Sequence, residues 1–86
     1  MPLDVTLFDK EDLYATSILF YIKSGKKYWV IGDSHGGVSM HMFNGTFVNR
    51  GLTNKGHVNS LDRFGQSLIF ATDKNVGVFD LNAMET

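Results

Sequence analysis

The fold is decided by residues 27–49, which read KYWVIGDSHGGVSMHMFNGTFVN. This stretch holds three short runs rich in β-branched and aromatic residues, separated by polar segments that contain glycine. Such runs favour strands, whereas glycine and asparagine favour the turns between them. Asn44-Gly45 is a strong hairpin signal, because a two-residue type I′ turn needs a positive φ at both central residues. We therefore predict an antiparallel hairpin with a type I′ turn at Asn44-Gly45.

The same alternation of apolar runs and polar turns extends over the rest of the chain. Runs such as Trp29-Val30-Ile31 are apolar at every position, which indicates strands that are covered on both faces of their sheet. The sequence thus predicts an all-β protein of antiparallel sheets. The predicted strands are Tyr14–Ile22, Lys27–Gly32, Val38–Phe43, Thr46–Asn49, Val58–Arg63, Ser67–Thr72 and Val76–Leu81.

An internal repeat is also present. A shift of 39 positions places Trp29-Val30-Ile31-Gly32 on Leu68-Ile69-Phe70-Ala71, three large apolar residues followed by a small one. A period near 40 with four strands is typical of β-propeller blades. The predicted fold is about two blades of a partial propeller, with a small β-sandwich or barrel as the alternative. The predicted divisions are an N-terminal segment or outer strand (1–13), a first blade-like repeat (14–53) and a second repeat that lacks its last strand (54–86).

The second repeat resembles a WD-repeat blade. Gly56-His57 precedes its first strand, Asp73 lies between its second and third strands, and Phe79-Asp80 stands in the place of the family's Trp-Asp. Phe79 lacks the indole N–H of that tryptophan, so the family's hydrogen-bonded network would be incomplete here. The resemblance implies a propeller fold and a structural network made of His57, Thr72, Asp73 and Phe79.

The glycine-rich loop Gly32–Gly36 imitates two kinds of active site. Its Asp-Ser-His-Gly segment resembles the start of metallophosphoesterases, and its Gly-Asp-Ser segment resembles the nucleophile segment of GDSL-type hydrolases. The first chemistry needs further Asp, Asn and His ligands for two metal ions, and the second needs an Asp-x-x-His after the serine. Neither set occurs in the sequence. A metal-dependent phosphoesterase or GDSL-type hydrolase is therefore the alternative function, and we assign no catalytic residue, no metal ligand and no cofactor.

Composition argues against several functional classes. The 86 residues include no cysteine, which excludes disulfides and cysteine-bound zinc, and His35, His41 and His57 lack the close spacing of zinc ligands. A net charge of −1 without a basic stripe argues against a nucleic-acid partner. No apolar run reaches the roughly 20 residues that span a bilayer. The N-terminus lacks a signal-peptide pattern and predicts the cytoplasm, although the glycosylation triplet Asn44-Gly45-Thr46 leaves the secretory pathway open.

These patterns favour a non-enzymatic protein–protein interaction scaffold. Propeller blades present their loops at the two ends of the strands, where binding residues collect. Two repeats alone would leave apolar faces bare on both sides of the stack. We therefore expect a segment of a larger propeller or a subunit of a multi-chain complex, whose partners are other proteins or the remaining blades. The candidate contact residues lie in the second turn of each repeat and are Asp33, Ser34, His35 and Lys74.

Overall fold

Residues 13–85, which the computed structural model describes, form seven strands and one short helix. The predicted outer strand Asp4–Phe8 lies outside the described residues. Each of the seven predicted strands is present, with its ends shifted by at most three residues. The elements are β1 (Ala15–Lys23), β2 (Lys26–Asp33), β3 (Gly37–Met42), β4 (Phe47–Leu52), β5 (Val58–Phe64), β6 (Ser67–Thr72), β7 (Val76–Asp80) and α1 (Leu81–Met84).

The strands form two antiparallel meanders. Strands β1 to β4 make a four-stranded sheet in that order (sheet 1), and β5 to β7 make a three-stranded sheet in that order (sheet 2). The chain leaves sheet 1 at the edge strand β4 and enters sheet 2 at the edge strand β5. The predicted all-β class with antiparallel sheets is therefore confirmed. After β7 the chain continues as α1, a helix that the sequence did not predict.

The helix α1 fastens sheet 2 to β1. Asp80 caps its N-terminus, because the Asp80 carboxylate accepts a hydrogen bond from the Asn82 N–H at 2.9 Å. The Tyr21 hydroxyl donates to Glu85 Oε1 at 3.0 Å, and Lys23 Nζ lies 3.2 Å from Glu85 Oε2. Burial and the hydrogen bond to Glu85 both raise the pKa of Tyr21, so this phenol stays neutral. The helix thereby closes one end of the core.

The hairpin turns correct one prediction. Asn44 does not adopt the positive φ of a type I′ turn, whereas Gly45 has φ +97° and donates its N–H to the Met42 carbonyl at 2.8 Å. The turn is therefore of type I followed by a left-handed glycine, the usual form of a three-residue hairpin loop. The type I′ geometry occurs instead at Ser24-Gly25. The φ angles are 51° at Ser24 and 79° at Gly25, and the flanking residues Lys23 and Lys26 pair with each other. The predicted hairpin is present, but its loop is one residue longer.

The core lies between the two sheets, which approach each other closely. A Cβ on Gly32 would lie 2.8 Å from the Cβ of Val58, and a Cβ on Gly51 would lie 2.9 Å from the ring of Phe79. Glycine is therefore needed at these two places of sheet 1 for sheet 2 to pack on it. The inner face of sheet 1 is made of Leu19, Tyr21, Tyr28, Val30, Val38 and Met40, and that of sheet 2 of Val58, Leu61, Leu68, Phe70 and Phe79.

The two sheets meet through unlike faces. Their first hairpins both close with two-residue loops, Ser24-Gly25 and Gly65-Gln66, which lie 41 positions apart, two more than the offset read from the sequence. At this offset Trp29 on the outer face of sheet 1 corresponds to Phe70 on the inner face of sheet 2. Alternate residues of a strand point to opposite faces, so the outer face of sheet 1 corresponds to the inner face of sheet 2 along both hairpins. The front of one sheet therefore packs on the back of the other, as in a stack of repeats.

We expect Gly32→Ala to lower the free energy of unfolding by about 1–3 kcal/mol, because the new methyl group meets the buried Val58. Urea denaturation followed by circular dichroism measures the change. Ser60→Ala on the exposed side of β5 is the control and should stay within about 0.5 kcal/mol of the wild type. Equal stability of Gly32→Ala and the wild type would contradict the close approach of the sheets.

Candidate binding surfaces

Loops of both sheets meet at one end of the molecule. This group, the loop end, consists of the β2–β3 loop (34–36), the β4–β5 loop (53–57), the β6–β7 loop (73–75) and the start of β1. The Thr53 N–H donates to the Gly36 carbonyl at 2.8 Å, and the rings of Tyr14 and His57 meet edge to face at 5.8 Å. All four contact residues predicted from the sequence belong to the loop end or to the strand that leads into it.

Asp33 anchors the loop end. It is 1% exposed, and its Oδ1 accepts hydrogen bonds from the N–H groups of His35 and Gly37, each at 2.9 Å. Its Oδ2 lies 2.9 Å from a guanidinium nitrogen of Arg50, which reaches across from β4. A buried carboxylate is stable when charge and hydrogen bonds compensate it in this way. Both oxygens of Asp33 therefore serve the protein's own loop.

The other three predicted contact residues differ in exposure. Ser34 is buried, its N–H donates to the Tyr14 carbonyl at 2.9 Å, and its hydroxyl accepts from the Tyr14 N–H at 3.1 Å. His35 and Lys74 expose their side chains to solvent. The structure thus separates the predicted set into two buried residues that shape the loop and two exposed residues on its surface.

The corresponding turn of sheet 2 is organised by Thr72. The Thr72 hydroxyl accepts hydrogen bonds from the N–H groups of Lys74 and Asn75, each at 3.1 Å. Next to it, Asp73 Oδ1 accepts from the side-chain amide of Asn59 at 2.9 Å. Thr72 therefore holds its own turn, and Asp73 ties that turn to β5.

Phe79 and His57, the other members of the WD-like network, make ring contacts. Phe79 packs on Phe70 with 5.2 Å between ring centroids and covers Gly51 of sheet 1. His57 contacts Tyr14, as described above, and among residues 13–85 no hydrogen bond joins it to Thr72 or Asp73. The structure thus places the four residues in separate contacts.

The histidines are dispersed. His35 is exposed in the loop end, His57 is half-buried before β5, and His41 is buried on β3. Within the described part of the chain no three His, Asp or Glu side chains converge as metal ligands would, and no enclosed pocket occurs. Burial lowers the pKa of His41 below the ordinary 6.5, and the backbone of Gly45 has a smaller, opposite effect. His41 is therefore neutral at pH 7.

The outer face of sheet 1 exposes an aromatic cluster. Trp29 stacks on Phe43 with 5.4 Å between centroids and an angle of 15°, and Phe20 lies 5.1 Å from Trp29. The ammonium group of Lys27 lies 5.3 Å from the centre of the Phe43 ring, within the range of a cation–π interaction. Phe20 is 41% exposed, and two further exposed residues of β1, Ile18 at 62% and Ile22 at 52%, extend this surface.

Sequence reasoning expected bare apolar faces but did not identify Phe20 and Phe43 as exposed, although a signal existed for β1. Residues 18–22 read ILFYI and are apolar at every position. Because β1 is an edge strand whose inner face packs on sheet 2, the alternate residues have to lie on the other face. The face is not exposed throughout, since Ile31, Ser39 and His41 further along it are buried. The exposed surface follows β1 and the ends of β2 and β3 near the Ser24-Gly25 loop.

The outer face of sheet 2 is a second apolar surface. Phe64, Val76 and Val78 are 78%, 70% and 62% exposed, and the exposed residues Asp62 and Asp80 lie beside them. Within the described residues β7 pairs with β6 alone, so its other edge carries no strand partner there. The molecule therefore carries apolar surfaces on both sides of its two-sheet stack.

Together these features define an antiparallel two-sheet protein with apolar outer faces and a polar loop end. No helix among residues 13–85 is both long enough and apolar enough to cross a membrane. Comparisons with protein-family models, with curated proteins and with solved structures found no match. The function must therefore follow from the surfaces themselves.

We expect Arg50→Met to destabilise the protein by about 1–3 kcal/mol, because it leaves the buried carboxylate of Asp33 without its cation. Urea denaturation at neutral pH gives the difference. Lys74→Met removes an exposed charge at the same end of the molecule and should change stability by less than about 0.5 kcal/mol. If the two variants were equally stable, the Asp33–Arg50 pair would not anchor the loop end.

Wild-type stability should fall when the pH is lowered from about 7.5 to about 5.5. The unfolded chain protonates His41 near its ordinary pKa of 6.5, whereas the folded protein resists protonation because burial lowers that pKa. The contribution of neutral His41 to the free energy of unfolding is therefore complete above pH 6.5. It is lost as the pH falls towards the lowered pKa of His41 in the folded state. His41→Leu should reduce this dependence in thermal unfolding measurements, and Ser60→Ala, which removes no titratable group, should keep it. An unchanged pH dependence in His41→Leu would refute the assignment.

Proposed function

We propose that this protein is a non-enzymatic protein–protein interaction scaffold, built as a stack of repeats of the β-propeller type. The observation that carries the proposal is the exposure of apolar side chains on both outer faces of the stack. Contiguous apolar surfaces of this kind mark interaction sites, because water does not stabilise them. The exposed residues are Ile18, Phe20 and Ile22 on sheet 1 and Phe64, Val76 and Val78 on sheet 2.

Covering these faces would supply the driving force for association. Complete burial of one Ile, Val or Phe side chain contributes about 1.5–3 kcal/mol. Association itself costs about 4–15 kcal/mol, so several such residues have to be buried together. Ile18, Phe20 and Ile22 alternate along β1, and Val76 and Val78 alternate along β7. Burial of both faces in one contact, together with Phe64 on β5, is therefore enough to offset the lower part of that cost.

The arrangement of the strands supports the propeller type. Propeller blades are four-stranded antiparallel sheets that pack on their neighbours around an axis. Here a four-stranded meander leads into a second meander, and the first strands of the two, β1 and β5, lie against each other. The Thr16 hydroxyl of β1 donates to the Val58 carbonyl of β5 at 2.5 Å, so the two first strands are directly joined. The packing of unlike faces agrees with consecutive repeats of one stack.

The loop end supports a structural role more than a hydrolytic one. A nucleophile or metal ligand has to face its substrate, whereas Asp33 and Ser34 are buried within their own loop. The Asp33 carboxylate holds Arg50 and two backbone N–H groups, and the Ser34 hydroxyl accepts from Tyr14. These contacts account for the Gly-Asp-Ser-His-Gly sequence by turn chemistry.

Capture of protein partners by the immobilised chain tests the proposal. The wild type should retain partners from a cell extract, identified by mass spectrometry. Ile22→Glu or Val78→Lys should reduce retention about tenfold or more, because each places a charge in an apolar contact. Lys74→Glu changes a charge at the loop end and should leave retention unchanged.

Two results would contradict this proposal in different ways. Retention that is lost with Lys74→Glu alone would assign the interaction to the loop end instead of the outer faces. Turnover of a generic phosphodiester or ester substrate, with or without added divalent metal and abolished by His35→Ala, would show that the protein is an enzyme.

A further inference from the structure

We propose that copies of this chain stack head to tail, with the outer face of sheet 1 of one copy packed on the outer face of sheet 2 of the next. This inference rests on the proposed interaction function and names its partner, a second copy of the chain. The contact would cover Ile18, Phe20 and Ile22 of one copy with the surface around Phe64 and Val78 of the other.

The internal packing of the two sheets provides the template. At the offset of 41 residues, Phe20 and Trp29 on the outer face of sheet 1 correspond to Leu61 and Phe70 on the inner face of sheet 2. In the same way, the outer face of sheet 2 corresponds to the inner face of sheet 1. The two uncovered faces are therefore the same two kinds of face that already pack on each other inside the molecule. A second copy can therefore use the same kind of packing along β1 and the ends of β2 and β3 near the Ser24-Gly25 loop, where the outer face of sheet 1 is exposed.

Charges at the borders of the two surfaces are complementary. Lys27 lies exposed on the outer face of sheet 1, next to Phe43. Asp62 and Asp80 lie exposed beside the outer face of sheet 2. These charges lie at the same end of their sheets, because Lys27 is the second residue after the first hairpin loop and Asp62 lies three residues before the corresponding loop Gly65-Gln66. Contact between unlike faces thus joins lysine with aspartate, whereas contact between like faces would join equal charges.

One internal contact locates this charge pair. The Arg63 guanidinium of sheet 2 lies 4.9 Å from the centre of the Tyr21 ring of sheet 1. At the repeat offset Arg63 corresponds to Ile22, and Tyr21 corresponds to Asp62. In the stacked pair Asp62 of one copy therefore faces Ile22 of the next, whose cross-strand neighbour is Lys27. An aspartate–lysine pair takes the place of the internal cation–π contact.

A contact between unlike faces has a consequence for assembly. It leaves one outer face of sheet 1 and one outer face of sheet 2 uncovered at the two ends of the stack, unless the rotation from each copy to the next closes a ring. A closed propeller has about four to eight sheets, and each chain supplies two, so a ring would contain about two to four copies.

The mass of the chain in solution, measured by light scattering over a range of concentrations, tests the stacking. The wild type should have a mass that is a multiple of 9.6 kDa at high concentration. Ile22→Glu on sheet 1 and Val78→Lys on sheet 2 should each weaken self-association about tenfold or more. Lys55→Glu, an exposed position outside both faces, is the matched control and should associate like the wild type.

Mixing the two variants distinguishes head-to-tail stacking from every other dimer. Ile22→Glu keeps an intact outer face on sheet 2, and Val78→Lys keeps an intact outer face on sheet 1. At a concentration where each variant alone is monomeric, their mixture should therefore form a one-to-one heterodimer. Self-association that one of the two substitutions leaves as strong as in the wild type, or a mixture that stays monomeric, would overturn the proposal.

Further measurements separate a folding defect and a failure of the proposed function. Near-ultraviolet circular dichroism checks that each variant is folded, and Ile18→Glu with Val76→Lys provides a second pair on the same two faces. A wild-type chain that stays at 9.6 kDa at all concentrations would refute stacking of copies. Capture of other proteins through the same faces would still support the interaction scaffold, so the two failures are distinguishable.

Discussion

The contact of Val58 with the bare backbone at Gly32 is the constraint on which the rest of the structure depends. Neither sheet has a complete core of its own, because each inner face is apolar and needs the other to cover it. Val58 can lie deep against sheet 1 because Gly32 has no side chain there, and the hydroxyls of Thr16 and Ser17 bind the Val58 carbonyl at the same place. This contact fixes β5 beside β1. Once β5 is fixed, the alternation of side chains along the β5–β6 hairpin decides which face of sheet 2 is buried and which is exposed.

A second constraint is electrostatic and holds the opposite side of sheet 1. The Asp33–Arg50 pair links β2 to β4 across β3, and the Asp33 carboxylate also fixes the following loop through two backbone N–H groups. Gly36 in that loop has φ +81°, and a Cβ there would lie 2.8 Å from the Gly56 carbonyl oxygen. Glycine is therefore required for two reasons, a left-handed backbone and a close approach of loops. The segment whose sequence imitates an active site therefore packs the β2–β3 loop against the β4–β5 loop.

The exposed faces follow from the same packing. A stack of two sheets has two outer faces, and in this chain both carry exposed apolar residues. Each outer face corresponds in sequence to the inner face of the other sheet, which is apolar. The aromatic cluster of Phe20, Trp29 and Phe43 is partly ordered by its own ring contacts, so it presents a rigid surface to a partner. A surface whose side chains are already ordered loses less conformational entropy on binding than a surface with mobile side chains, which favours an interaction function.

The sequence by itself determined the elements that depend on local forces. The seven strands, the all-β class and the hairpin near Asn44-Gly45 follow from β-propensity, period-two geometry and turn residues. The geometry of that turn could not be predicted, because Asn-Gly also fits a type I turn in which glycine alone takes the positive φ. The helix α1 was missed since four residues give no periodicity, and its anchors on Tyr21 and Lys23 are distant in sequence.

Only the tertiary structure decided which side chains are buried and which are available. Asp33 and Ser34 have the composition of exposed loop residues, yet contacts with Arg50 and Tyr14 bury them. Residues 18–22 are apolar at every position, so the sequence could not tell the inner Leu19 and Tyr21 from the outer Ile18, Phe20 and Ile22. The physical reason is that side-chain alternation is local, whereas the choice of face depends on where a second sheet, about 40 residues away in the chain, comes to rest.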